Sequence, residues 1–129
     1  MTTRTLLGGA CAVLLTMATA GAAHAGTPTG RVAYVTNSSG RVVGELTFND
    51  DADNFFVWDT YADGHGVRGE IHYAGQRLAW AYDGTGADST IASFHYDIQA
   101  GTTYFVEVCT VDGANDTTPV ACGTGTVTE

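Results

Sequence analysis

Apolar and polar residues alternate in eight short segments between residues 31 and 127. Turn-forming Gly, Asn, Asp and Ser separate most of the segments, which are residues 31–36, 42–48, 54–60, 67–73, 77–83, 90–98, 102–111 and 119–127. A period of two places successive side chains on opposite faces of a β-strand. No stretch of eleven or more residues after position 25 has the 3.6-residue spacing of an amphipathic helix. The pattern predicts an all-β antiparallel sandwich of seven to eight strands, formed by one domain over residues 26–129.

Residues 1–25 have the features of a secretory signal peptide. Arg4 is followed by an apolar run from Leu6 to about Ala18, and Ala23-His24-Ala25 supplies an A-x-A cleavage pattern. An uncleaved anchor is the alternative, but Gly and Thr interrupt the run. Lipidation is disfavoured because Cys11 lies inside the run. We therefore expect a cleaved leader and a secreted, extracellular product.

The remaining chain is strongly acidic. It has four arginines, no lysine and fourteen acidic residues, which is a net charge of about −10. Such a surface repels nucleic-acid phosphates and anionic lipid headgroups. We expect a monomer that binds neither nucleic acid nor membranes.

Two cysteines, Cys109 and Cys122, remain after the leader. In an oxidising compartment such a pair predicts a disulfide, and two free thiols are the alternative. Closing a loop of this size stabilises a fold by about 3 kcal/mol in the chain-entropy account.

The segment from Asp59 to Glu70 partly matches a calcium-binding loop. Asp59, Asp63, Gly64 and Glu70 fall at positions 1, 5, 6 and 12 of the EF-hand template, whereas Tyr61 replaces the ligand at position 3. The alternative is a turn in which Asp59 and Asp63 bond to their own backbone. We favour the turn and predict no required cofactor; calcium, with Asp59, Asp63 and Glu70 as its ligands, is the candidate that the sequence suggests.

Catalytic motifs are not evident. His65, His72 and His95 are the only imidazoles after the leader, and no G-x-S-x-G is present. His72 and His95 could bind zinc if their strands were neighbours, but surface histidines are the simpler interpretation. We expect no enzymatic activity.

Aromatic residues suggest a binding surface. Trp58, Tyr61 and Trp80 could form an exposed platform for an extracellular ligand. For Leu78, Trp80 and Tyr82, which alternate on one strand, the interpretation that we favour is that they face the core.

Two segments resemble known proteins. Ile98–Val108 resembles the corner between strands E and F of fibronectin type III and related immunoglobulin-like sandwiches, which implies that the Tyr104 hydroxyl bonds back to the bend and that Val106 and Val108 face inward. Asp59–Gly69 is similar to the run DTxADGxxVxG of small exported actinobacterial proteins of unknown function. QAGTTY, at Gln99–Tyr104, is similar to the enediyne-binding apoproteins of the neocarzinostatin group. These resemblances imply an immunoglobulin-like fold and export, but no activity.

The sequence therefore favours a small secreted binding or interaction module that is not an enzyme. Its partner would be an extracellular protein or a glycan. One alternative is a calcium-stabilised structural protein of the cell envelope. The other is an inhibitor of a secreted hydrolase that displays the loop Asp112–Pro119 inside the disulfide-closed ring.

Overall fold

The eight alternating segments form eight β-strands in a computed structural model that describes residues 29–129. The strands are β1 (Gly30–Thr36), β2 (Val42–Asn49), β3 (Asn54–Asp59), β4 (Gly66–Tyr73), β5 (Gln76–Asp83), β6 (Ala92–His95), β7 (Thr103–Val111) and β8 (Ala121–Thr128). The leader predicted at residues 1–25 lies outside the described residues. In residues 29–129 there is no helix long and apolar enough to cross a membrane.

The strands form two four-stranded antiparallel sheets. The first sheet has the order β1-β2-β3-β6 and the second has the order β5-β4-β7-β8. The predicted all-β antiparallel sandwich is confirmed. The order of neighbouring strands matches that of an immunoglobulin-like sandwich with β1 as an added edge strand. In this comparison, β2, β3 and β6 correspond to strands A, B and E of the first sheet. The strands β5, β4, β7 and β8 correspond to C′, C, F and G of the second sheet.

Inward-facing side chains of both sheets form the core. Their alternation along each strand is what the period of two predicts. Phe55 lies at the centre, with its ring centroid 4.8 Å from those of both Phe48 and Phe94. The largest fully buried side chains also include Leu46, Ile71, Ile98 and seven valines.

The first and last strands approach each other closely at one edge of the sandwich. β1 passes over the inner side of β8, where Gly123 and Gly125 carry no side chain. A Cβ at Gly123 would overlap the carbonyl of Tyr34, and one at Gly125 would overlap the carbonyl of Val32. These glycines therefore permit the backbone contact that closes this edge.

The bend before β7 has the geometry that the resemblance implies. The hydroxyl of Tyr104 accepts a hydrogen bond from the backbone amide of Gln99 at 3.3 Å. Tyr104, Val106 and Val108 are all buried. The bond links the chain between β6 and β7 to the start of β7, where the backbone crosses from one sheet to the other.

Two local features differ from the simple strand pattern. β6 is shorter than the predicted segment 90–98, because it pairs only with β3 and the chain then turns so that Ile98 enters the core. The acidic turn after β2 is a short 3₁₀-helix over Asp50–Ala52, capped by the side chain of Asn49.

Candidate functional site

The outer face of the second sheet carries an unusual set of charged side chains. In β4, Val67 and Ile71 point into the core, so the alternate residues Arg68, Glu70 and His72 point outward. Neighbouring strands add further outward side chains to this surface, which we name the β4 face. It consists of Arg68, Glu70, His72, Arg77, Trp80, Phe105 and Glu107.

Glu70 is the centre of the β4 face. Only 4% of it is exposed, yet both of its carboxylate oxygens have polar partners. Arg68 Nε donates to its Oε1, Arg77 Nη1 donates to the same oxygen at 3.1 Å, and His72 Nε2 lies 2.9 Å from its Oε2. Burial pushes the pKa of Glu70 upward, but the guanidiniums of Arg68 and Arg77 outweigh it and hold the pKa below its ordinary value. Glu70 is therefore an anion at neutral pH.

Glu107 brings a second carboxylate to the same place. It lies directly opposite Glu70 in the register between β4 and β7. Glu70, His72 and Glu107 can each offer one ligand atom, and these three atoms lie within 4.8 Å of one another. The β4 face thus combines two carboxylates and one imidazole at its centre.

Aromatic rings flank this charged centre on both sides. Trp80, on β5, lies opposite Glu70. The guanidinium of Arg77 lies 5.2 Å from the centroid of the Trp80 ring. On the other side, Phe105 is 43% exposed and meets the ring of His72 edge-on at 5.9 Å. A depression of about 420 Å³ adjoins it, lined by His72, Tyr73, Ala74, Gly75, Thr103 and Phe105.

The loop between β7 and β8 borders the other end of the β4 face. Cys109 and Cys122 form a disulfide across these strands, with Cα atoms 4.1 Å apart. Arg68 Nη1 donates to the carbonyl oxygen of Asp116 at 2.5 Å and to that of Ala114 at 3.3 Å. One guanidinium therefore joins the central carboxylate to the loop that the disulfide closes.

Within the loop, the Asp116 carboxylate accepts hydrogen bonds from the amide of Asp112 at 3.0 Å and the amide of Thr118 at 2.9 Å. These backbone bonds, with one from the Thr118 hydroxyl, lower the pKa of Asp116 to about 2. The loop is thus held in one shape from inside as well as by Arg68.

The three residues predicted to bind calcium do not converge. Asp59 ends β3 and is buried on its inward side, whereas Glu70 is on the outward side of β4, and Asp63 is exposed in the loop between them. The strand β4 separates Asp59 from Glu70. The carboxylates of Asp59 and Asp63 instead accept the amides of Tyr61 at 3.2 Å and His65 at 3.0 Å, which is the alternative turn interpretation.

The histidines are also distributed. His72 belongs to the second sheet and His95 to the first, so they do not share a site. His65 lies at one end of the sandwich, where its Nδ1 is 2.6 Å from Asp112 Oδ1. A depression of about 510 Å³ adjoins His65 there.

The aromatic residues predicted to bind a ligand lie on different surfaces. Trp58 is on the outer side of β3, where its Nε1 donates to the Thr47 hydroxyl at 3.3 Å. Tyr61 packs against the core under the guanidinium of Arg41, at 4.0 Å from its ring centroid. Trp80 is 36% exposed on the β4 face. The three aromatic residues therefore do not form one platform. The interpretation that places Trp80 in the core is also wrong, because the register of β5 with β4 turns Trp80 outward beside Glu70.

Sequence reasoning did not single out Arg68, Arg77 or Glu107 as members of a site. The only local signal was the alternation of Arg68, Glu70 and His72 on one side of β4. The pairing of β4 with both β5 and β7, which brings Arg77 and Glu107 to Glu70, is a long-range property.

Searches of protein-family models, of curated proteins and of solved structures return no significant match to this chain.

Proposed function

We propose that this protein is a small secreted binding module, without enzymatic activity, that holds a neutral extracellular glycan on the β4 face. The observation that carries the proposal is the ion-paired Glu70 between the exposed rings of Trp80 and Phe105. An aromatic face can cover the C–H surface of a sugar, and fixed charged groups can bind its hydroxyls.

A glycan suits this surface better than a protein partner does. The cores of protein interfaces are depleted in charged residues, and their polar groups lie at the rim. The β4 face has the reverse arrangement at Glu70, because this charged residue is on the middle strand β4, with Trp80 on β5 on one side and Phe105 on β7 on the other. The net charge of about −10 disfavours an acidic polysaccharide.

The test compares two tryptophans on opposite faces of the sandwich. The wild type is first screened against an array of neutral glycans. The affinity for each glycan that binds is then measured by titration for the wild type, for Trp80→Ala and for the control Trp58→Ala. We expect Trp80→Ala to weaken binding at least about tenfold, which is about 1.4 kcal/mol. We expect Trp58→Ala to leave the affinity unchanged.

Two results would refute the proposal. One is that no neutral glycan binds. The other is that Trp58→Ala weakens binding while Trp80→Ala does not.

A second candidate, inhibition of a secreted hydrolase, is favoured by the loop Asp112–Pro119. Arg68 holds two of its carbonyls and Asp116 holds two of its amides. Rigid loops bind tightly because little entropy is lost on association. A panel of extracellular proteases and amylases tests this function. We expect inhibition that is lost when the disulfide is reduced, and a panel without inhibition would exclude the tested classes.

A further inference from the structure

We propose that Glu70, His72 and Glu107 bind a divalent transition-metal ion, with zinc as the representative ion. This inference shares Glu70 with the proposed glycan site but does not require a bound glycan, because neither Trp80 nor Phe105 is a ligand in it. It differs from the calcium site suggested by the sequence in two of its three residues.

The positions of the three side chains suit a metal site. Glu70 and His72 are two residues apart on the outward side of β4, and Glu107 is on the neighbouring strand β7, opposite Glu70. In a tetrahedral zinc site with bonds of about 2.0–2.2 Å, the ligand atoms stand roughly 3.3–3.5 Å apart. The Nε2 of His72 and Oε2 of Glu70 are already 2.9 Å apart, and all three ligand atoms lie within 4.8 Å of one another. Side-chain rotations that adjust these separations to about 3.3–3.5 Å would therefore place all three ligand atoms at bonding distance from one ion.

The ligand types select a transition metal. Zinc accepts imidazole nitrogen together with carboxylate oxygen, and a site with three protein ligands leaves one position for water. Calcium takes six to eight oxygen ligands, which a set of two carboxylates and one imidazole does not supply. We therefore expect discrimination against calcium.

The surroundings of Glu70 orient it as a ligand. Arg68 and Arg77 both bond to Oε1, which leaves Oε2 directed toward His72. Outer partners of this kind fix the direction of a ligating carboxylate. The two carboxylates balance the charge of a dication, but the guanidiniums reduce its attraction, so we expect a site weaker than a structural zinc centre.

The other histidines provide matched controls. His95 is exposed on β6, in the first sheet. Glu45 is on β2 and is ion-paired with Arg31 at 2.8 Å, so Glu45→Gln removes a carboxylate from the opposite side of the sandwich. His65→Gln removes the imidazole beside Asp112, which is the competing location for an ion.

The experiment titrates ZnCl₂ into the oxidised, leader-free chain by calorimetry and follows the absorption of Co²⁺ bound in its place. We expect His72→Gln and Glu107→Gln each to weaken zinc binding at least about tenfold. Glu45→Gln, His95→Gln and His65→Gln should bind zinc as the wild type does. Zinc should also raise the melting temperature of the wild type and not that of His72→Gln.

The proposal is wrong if the wild type does not bind zinc at millimolar concentration, or if His65→Gln removes the binding. It is also wrong if calcium binds as tightly as zinc. Glu107→Gln keeps the test decisive if His72→Gln fails to fold, because Glu107 is only partly buried and the core does not depend on it. If the wild type does not bind zinc but Trp80→Ala still weakens glycan binding, the zinc site is wrong and the glycan proposal stands.

Discussion

The backbone amide of Asp59 donates a hydrogen bond of 2.9 Å to the carboxylate of Asp83. Asp59 ends β3 in the first sheet and Asp83 ends β5 in the second, so this bond joins the two layers. Asp59 in turn accepts the amide of Gly86, just beyond β5, at 3.1 Å. Both aspartates are almost fully buried. Each carboxylate therefore accepts a hydrogen bond from a backbone amide of the opposite sheet or of the chain that follows it. These bonds close this end of the sandwich.

Asp59 should make the protein less stable as the pH rises. Burial raises the pKa of Asp59, and the nearby Asp83 carboxylate adds to this, although amides of Tyr61 and Gly86 partly offset it. The native state then holds a proton that the unfolded state has lost, so its contribution to stability decreases above about pH 4. We expect the free energy of unfolding of the wild type, minus that of Asp59→Asn, to fall from pH 4 to pH 7 in urea titrations. A difference that grows with pH would contradict this.

Asp116 should have the opposite effect. Its pKa is lowered to about 2, first by the amide of Asp112 and then by the amide and hydroxyl of Thr118. Its contribution is therefore complete above about pH 4 and is lost as the pH falls through the folded value. Urea titrations from pH 6 to pH 2 should show the difference between the wild type and Asp116→Asn shrinking with acid. Asp51→Asn, an exposed acid of the turn after β2, is the control, and an equal pH trend in it would refute the assignment.

Gly123→Ala should destabilise the edge where β1 meets β8. The added methyl group would overlap the carbonyl of Tyr34, so β1 must move or lose its contact. Overpacking of this kind costs about 1–3 kcal/mol. Gly113→Ala is a matched control, because among residues 29–129 a Cβ there meets no atom within 4 Å apart from its chain neighbours. It should change stability by less than about 0.5 kcal/mol. Equal unfolding midpoints for the two variants in urea would disprove the role of Gly123.

Tyr104→Phe should remove the hydrogen bond at the bend before β7. The Gln99 amide loses its acceptor, and the net cost of one such bond is about 1 kcal/mol. Tyr34→Phe, which removes a hydroxyl from a side chain that is 49% exposed, should have no measurable effect. Chemical unfolding of both variants decides the matter, and the prediction fails if Tyr104→Phe is as stable as the wild type.

The Cys109–Cys122 bond should stabilise the fold by about 3 kcal/mol, because it closes the hairpin between β7 and β8 in the unfolded chain. The double variant Cys109→Ser/Cys122→Ser should therefore unfold at lower urea concentration than the oxidised wild type. Reducing agent should lower the midpoint of the wild type and leave that of the double variant unchanged. A wild type that is insensitive to reduction would contradict the disulfide.

The strands could be recognised locally because alternation and turn residues are properties of neighbouring positions. Seven of the eight predicted segments match strands whose ends differ by at most two residues, and β6 alone is clearly shorter. β6 is cut short because the next residues leave the sheet and place Ile98 in the core. Its length thus depends on where the chain must cross between layers.

The strand pattern, the acidic charge and the pairing of Cys109 with Cys122 could be predicted from the residues alone. Which outward side chains meet depends on how the strands pair. Alternation assigns Glu70 to one side of β4, but Arg77 and Glu107 reach it only through the register of β5 and β7. The same alternation places Asp59 and Glu70 on different sides of their sheets, although the spacing of the EF-hand template placed them in one loop. The period of a strand sets only the face on which each residue lies, because the residues beside it are supplied by backbone pairing between distant segments.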